Sequence, residues 1–310
     1  MSLEATFGIR LLASLLILIP AIVGLVLHTI LAITLYKGWK TFRRVSFYVI
    51  TVQLQGCDFC ALLLDLYIAF PLTLTGRQYM GDSIVLYYGP LFFEGIAFNG
   101  LFLLSFFMSF NRFLLFILPQ VHNKLFTYWG TRIMSLIVWI IVFLFIGLSN
   151  YFGCRKQFAK DDFYFWYNCS NRVPGEFHYN DFMHIASNIV PITMIVMYVI
   201  IYVKIRHATH DGEMARVKQE IKFFVQTVLI SVLIVVEMLA FITVPFLGIT
   251  GYGQFYLNIL TNLIIISNNL VTPIVIFTFN SDVREHLRSI ISFRQTTVVQ
   301  AVSRPGQGHS

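Results

Sequence analysis

Seven long apolar stretches, separated by short polar or basic segments, dominate the chain. They cover residues 11–36, 45–72, 84–118, 133–152, 182–203, 223–247 and 255–279. Each matches or exceeds the roughly 20 residues that carry an α-helix across a bilayer core. In lipid a lone apolar segment satisfies its backbone only as a helix, so strands are excluded. The third stretch is too long for one straight span, and one of its ends projects into water. The first holds His28 as its single ionisable side chain. No small-x-small cleavage pattern follows it before Lys37, so it reads as a retained span. After the seventh, Val283, Leu287 and Ile290 recur at helical spacing with Arg284, Arg288 and Arg294 between them. That pattern predicts a short amphipathic eighth helix on the membrane surface over residues 280–294. Residues 295–310 are polar and Gly/Pro-bearing, and are expected to form a disordered tail. The predicted fold class is an all-α membrane protein, a single seven-transmembrane helix bundle over residues 1–294.

Composition agrees. Of 310 residues, 57% are hydrophobic and 12% are charged, about half the charged share of a soluble domain. A water-soluble enzyme, a disordered chain and a disulfide-rich secreted module are all excluded. The net charge of +7 is distributed by topology. Apart from Arg10, Arg77, Arg155, Lys156, Lys160 and Arg172, every Lys and Arg falls on one side if the spans alternate. The positive-inside rule then puts the N-terminus outside and the C-terminus in the cytosol. The charge therefore calls for no nucleic-acid partner. The basic ring of Lys37, Lys40, Arg43 and Arg44 suits anionic inner-leaflet lipid. There is no phosphate loop, zinc-protease motif or nucleophile elbow, so no enzyme activity, cofactor or metal is expected. Cys57 and Cys60, one turn apart within the second span, read as packing residues rather than ligands.

Ionisable residues inside spans are functional candidates by default. Glu94 precedes Arg112 by 18 residues, roughly 27 Å along a helix, which places it in the outer third of the membrane. It is a candidate ligand contact, with an internal pair or a water contact as the equal alternative. Asp65, higher in the second span than Asp58, and Asn188 in the fifth are further ligand-facing candidates. Asp58 lies near mid-membrane, where Asn268 or Asn269 is the expected partner in a polar network. Pro191 and Pro245 allow kinks in the fifth and sixth spans. Glu237 lies deeper than Pro245 by about two helical turns.

The third span ends in Ser109-Phe110-Asn111-Arg112-Phe113, with Pro119 beyond. Lys218-Gln219-Glu220-Ile221-Lys222-Phe223-Phe224-Val225-Gln226 leads into the sixth. Phe279-Asn280 with Arg284 closes the seventh, and Cys154 and Cys169 bracket an aromatic, acidic loop. Together these resemble the nematode serpentine chemoreceptors, most closely class x (Srx), with class t or a related class next, within the rhodopsin-like G-protein-coupled receptor superfamily. The resemblance implies a multi-pass plasma-membrane receptor of sensory-neuron cilia. A small environmental or pheromone-like ligand and a heterotrimeric G protein are its implied partners. It implies a switch at Asn111, Arg112 and Phe113, with Glu220 and Lys222 at the foot of the sixth span. Rhodopsin-like receptors place an acid where Asn111 stands, so either the resting lock on Arg112 is weaker here or Glu220 is its substitute partner. Rhodopsin-like receptors join the outer loop to the top of the third span by a disulfide. No cysteine lies there in this chain, which leaves a Cys154–Cys169 bridge that folds the loop into a lid. That bridge competes with the glycosylation sequon Asn168-Cys169-Ser170. A transporter or ligand-gated channel, its path lined by Asp58, Asp65, Glu94 and Glu237, is the alternative from another class. A receptor-like trafficking protein without signalling is a second.

Overall fold

The computed structural model describes residues 5–169, 179–210 and 214–302. Among them seven helices are long and apolar enough to cross a membrane: Phe7–Lys37, Ser46–Thr75, Ile84–Ile117, Tyr128–Tyr151, Asp181–His207, Ile221–Ala240 and Tyr252–Phe279, here spans one to seven. A helix over Ser281–Val302 follows, continuing past Arg294 into the stretch where the sequence pattern places the start of the tail. Residues 303–310 lie outside the described residues. Among the described residues the one sheet is a hairpin, β1 (Cys154–Ala159) paired antiparallel with β2 (Tyr164–Cys169), with Cys154 opposite Cys169.

The two largest apolar clusters among the described residues lie toward opposite ends of the bundle. One, nearer Arg112, joins Phe47, Leu54, Leu104, Met108, Ile230 and Ile276. The other, nearer the hairpin, joins Ile17, Leu62, Ile68, Leu91 and Ile266. Outward faces of spans one, four and five carry exposed Ile, Leu and Val, such as Ile19, Leu136 and Ile192, which fits a lipid surface.

Two helical turns are wound wide, at Asp65–Ala69 in span two and Ile84–Tyr88 opening span three. Each lies just before a proline, Pro71 and Pro90. Proline lacks the N–H that the carbonyl four residues earlier needs, and its ring crowds that carbonyl. Opening the turn relieves the clash and leaves the carbonyls of Tyr67 and Leu86 seeking other donors. Both find tyrosine hydroxyls: Tyr79 donates to the Tyr67 carbonyl at 3.4 Å, and Tyr67 to the Leu86 carbonyl at 3.1 Å. The wide turn of span two also sets the buried Asp65 at its start.

Candidate functional site

The hairpin lies across one mouth of the bundle. A disulfide joins Cys154 to Cys169 at its open end, and the Ser149 hydroxyl of span four donates to the Cys154 carbonyl at 2.6 Å. Its tip reaches the opposite wall. The Arg10 guanidinium of span one pairs with Asp161 and donates to the Lys160 carbonyl. Gly76, left-handed at the end of span two, makes room for Arg10, because a Cβ there would lie 2.7 Å from its guanidinium carbon. Asn258 of span seven donates to Asp162 at 2.9 Å. Phe163 takes a left-handed backbone, φ 66°, and buries its ring completely against Phe255. That conformation costs a bulky residue about 1–2 kcal/mol. Burying the ring returns roughly 1.5–3 kcal/mol, so the tip stays docked.

From β1, Lys156 points into the bundle. Its ammonium lies 2.6 Å from Glu94 of span three, with both side chains less than a tenth exposed. It also sits 4.1 Å from the centre of the Phe98 ring and 5.2 Å from that of Tyr167. Tyr167 is held by Asn99, which donates to its hydroxyl at 3.0 Å. Asp65 lies within electrostatic reach of Glu94 and Lys156, as does Glu237 of span six. Spans two, three and six thus each hold a buried carboxylate within electrostatic reach of one ammonium, and Glu94 alone is shown in contact with it. Glu94 is held in an internal ion pair, and Asp65 feels its charge. Asn188 is half-buried on span five.

Deeper, the expected network around Asp58 is divided. Asn268 donates to Glu237 at 2.8 Å, and the Asn269 carbonyl meets the His28 ring at 2.8 Å. Asp58, fully buried, faces Thr272 instead. Thr272 is one turn beyond Asn268 on the same face of span seven, so the helix presents a different residue at the height of Asp58.

At the opposite end of span three, Arg112 is 2% exposed, and its guanidinium carbon lies 5.3 Å from the ring centres of both Phe47 and Phe223. The cation is clasped between spans two and six. Asn111 donates to Ser46 and meets the His122 ring, each at 3.2 Å. Phe113 is half-buried against the core. Lys222 donates to Ser281 at 2.6 Å, tying span six to the C-terminal helix. The Glu220 side chain lies outside the described residues. Two further clusters join spans here. The Tyr198 hydroxyl of span five bonds both Ser109 of span three and Ser231 of span six. Asn280 bonds Tyr48 at 3.0 Å and Gln226 at 3.3 Å.

The family model described as serpentine type 7TM GPCR chemoreceptor Srx matches residues 18–280, from within span one to the Asn280 that closes span seven. The chain belongs to the Srx family. Among curated proteins none matches it. The Srx match takes in span three with Arg112 and the whole hairpin, and the family is one of chemoreceptors rather than enzymes. Within this Srx receptor, sequence reasoning missed Lys156, Tyr167 and the aromatic clasp on Arg112. Lys156 left a weak signal. Cys154, Lys156 and Phe158 alternate with Arg155 and Gln157 at the period of a strand, which turns Lys156 to the same side as two buried neighbours. The clasp left none, because Phe47 and Phe223 are two of 31 phenylalanines.

Proposed function

We propose that this Srx receptor binds a small environmental or pheromone-like ligand at the hairpin end and promotes nucleotide exchange on a heterotrimeric G protein at the Arg112 end. In this reading it sits in the plasma membrane of sensory cilia, with the hairpin outside and the C-terminal helix in the cytosol. The observation that carries it is Arg112 stacked between Phe47 of span two and Phe223 of span six. A buried cation at the foot of span three, covered by a ring from the neighbouring span six, is a two-state element. When span six swings out, Phe223 leaves, and the guanidinium and the Tyr198 cluster become open to a partner. A ligand that prefers the swung state shifts the population toward it.

The test is Gα nucleotide exchange in membranes from cells expressing the receptor and matched for its surface level. A desolvated cation–π contact is worth about 2 kcal/mol. Phe223→Leu should therefore raise basal exchange by up to about thirtyfold. Arg112→Ala should abolish it. If both variants exchange nucleotide at the wild-type rate, the reading fails.

A further inference from the structure

Beside the hairpin, a cleft of about 400 Å³ opens on the flank of the bundle between the start of span three, the end of span four and β1. Its walls are apolar and aromatic, with Tyr88, Phe92 and Ile146 among them. Arg155 and Lys156 belong to the lining, and no carboxylate does. Lys156 already has Glu94. Arg155 is exposed, 5.9 Å from the centre of the Tyr88 ring, and pairs with no carboxylate among the described residues. Ile84 and Phe93 of the lining are more than half exposed, so the cleft is open on its outer side. The volume is that of a small-ligand site, and a mostly apolar lining with a few polar groups is the usual composition of one.

We propose that this cleft binds a single-chain amphiphile with a carboxylate head. Arg155 takes the head in a two-pronged, charge-assisted contact, and the apolar body lies along Tyr88, Phe92 and Ile146. Charge complementarity selects the class, because an ammonium ligand would meet the Arg155 guanidinium and no acid in the lining. This site deepens the ligand half of the proposed function, and its test is independent of the G-protein half.

The experiment is saturation binding of tritiated decanoate to purified receptor in phosphatidylcholine nanodiscs, with decanol and decylamine as competitors of equal chain length. Saturable decanoate binding that neither competitor displaces is expected. Loss of a charge-assisted contact predicts an affinity about tenfold weaker or worse in Arg155→Gln, and partial retention in Arg155→Lys. Arg77→Gln, a basic residue outside the cleft, should bind as wild type. Arg155 is exposed, so its variants should match wild type in thermal stability, which separates lost binding from lost fold. Equal binding by Arg155→Gln, or displacement by decanol, overturns the proposal. Displacement by phosphatidylglycerol added to the discs also overturns it, by assigning the cleft to a lipid headgroup. Because the readout contains no Gα, a failure here leaves the Arg112 reading intact. Likewise, silent nucleotide exchange leaves this site intact.

Discussion

The Tyr67 hydroxyl donates at 3.1 Å to the Leu86 carbonyl, which Pro90 deprives of a helical donor. Span two thus repairs a proline defect in span three. A single neutral hydrogen bond is worth about 1 kcal/mol net. Tyr67→Phe should therefore lower the receptor's thermal stability by about that amount. In a Pro90→Ala background, residue 90 regains an N–H for Leu86, and the Tyr67→Phe effect should disappear. Thermal melts in detergent, followed by a thiol-reactive dye on the buried Cys57, would measure both arms. An equal loss in both backgrounds would break the link between the proline and the tyrosine.

Glu94 and Lys156 share a site from which water is largely excluded. Removing one partner of a buried pair leaves an uncompensated charge, at a cost of about 3–5 kcal/mol. Glu94→Gln and Lys156→Met should each cut surface abundance sharply. The double variant Glu94→Gln/Lys156→Met should recover much of the loss, because no lone charge remains. Flow cytometry on an extracellular tag reads the outcome. A double variant worse than either single one would mean that the two residues act independently.

How far this arrangement was legible from sequence depends on what sets each part. The seven spans follow from apolar length, which lipid converts into helix with little ambiguity, and the described spans reproduce them. Their ends shift by several residues where caps rather than hydropathy decide. Span four begins at Tyr128, not near Ile133, because the Thr127 hydroxyl accepts from the Gly130 N–H and starts the helix early. Glu94 and Asp65 stood out because charge inside an apolar run is conspicuous. Their partner did not, because Lys156 lies in a polar loop, and only the three-dimensional path of the hairpin carries it into the bundle. Asn268 and Asn269 were legible as polar span residues, but their neighbours depend on helix rotation, which hydropathy does not specify. The wide turns at Asp65 and Ile84 follow from Pro71 and Pro90, residues that can be read directly in the chain once their position inside a span is known.

The disulfide between Cys154 and Cys169 adjoins Asn168, whose side-chain amide donates to Gln157 across the hairpin. A paired strand with its next residue locked in a bridge does not present the extended, accessible sequon that glycan transfer needs. Wild-type receptor should therefore carry no glycan at Asn168. Cys154→Ser releases Cys169 and frees the strand end, and it should gain a glycan, seen as a mass shift removed by a glycosidase. The same variant loses the constraint on a loop of about 15 residues, worth about 3 kcal/mol in the chain-entropy account, and should melt earlier. A glycan on the wild-type protein would show that the hairpin opens before the bridge closes.

Asp162 ties the hairpin tip to span seven, and its environment makes that tie pH-dependent. Partial burial raises its pKa above the usual carboxylate range, and neighbouring Asp161 adds to the rise, while the Asn258 hydrogen bond opposes it. Arg10 pairs with Asp161, and Tyr164 feels the Asp162 charge. A carboxylate whose folded pKa exceeds its unfolded value is held more comfortably when protonated. Its contribution to docking is therefore fullest below the unfolded pKa and is lost as pH rises through the folded one. Hydrogen exchange of the amides of Asp162 and Phe163, which donate to the Ala159 carbonyl, reports the tip directly. After correction for intrinsic exchange rates, wild-type protection should decline as pH rises from the unfolded carboxylate value of about 3.9 through the folded pKa. In Asp162→Asn that decline should flatten, because the amide keeps a hydrogen bond to Asn258 and has nothing to titrate. An identical decline in both proteins would move the pH dependence to another group and leave Asp162 as a structural anchor alone.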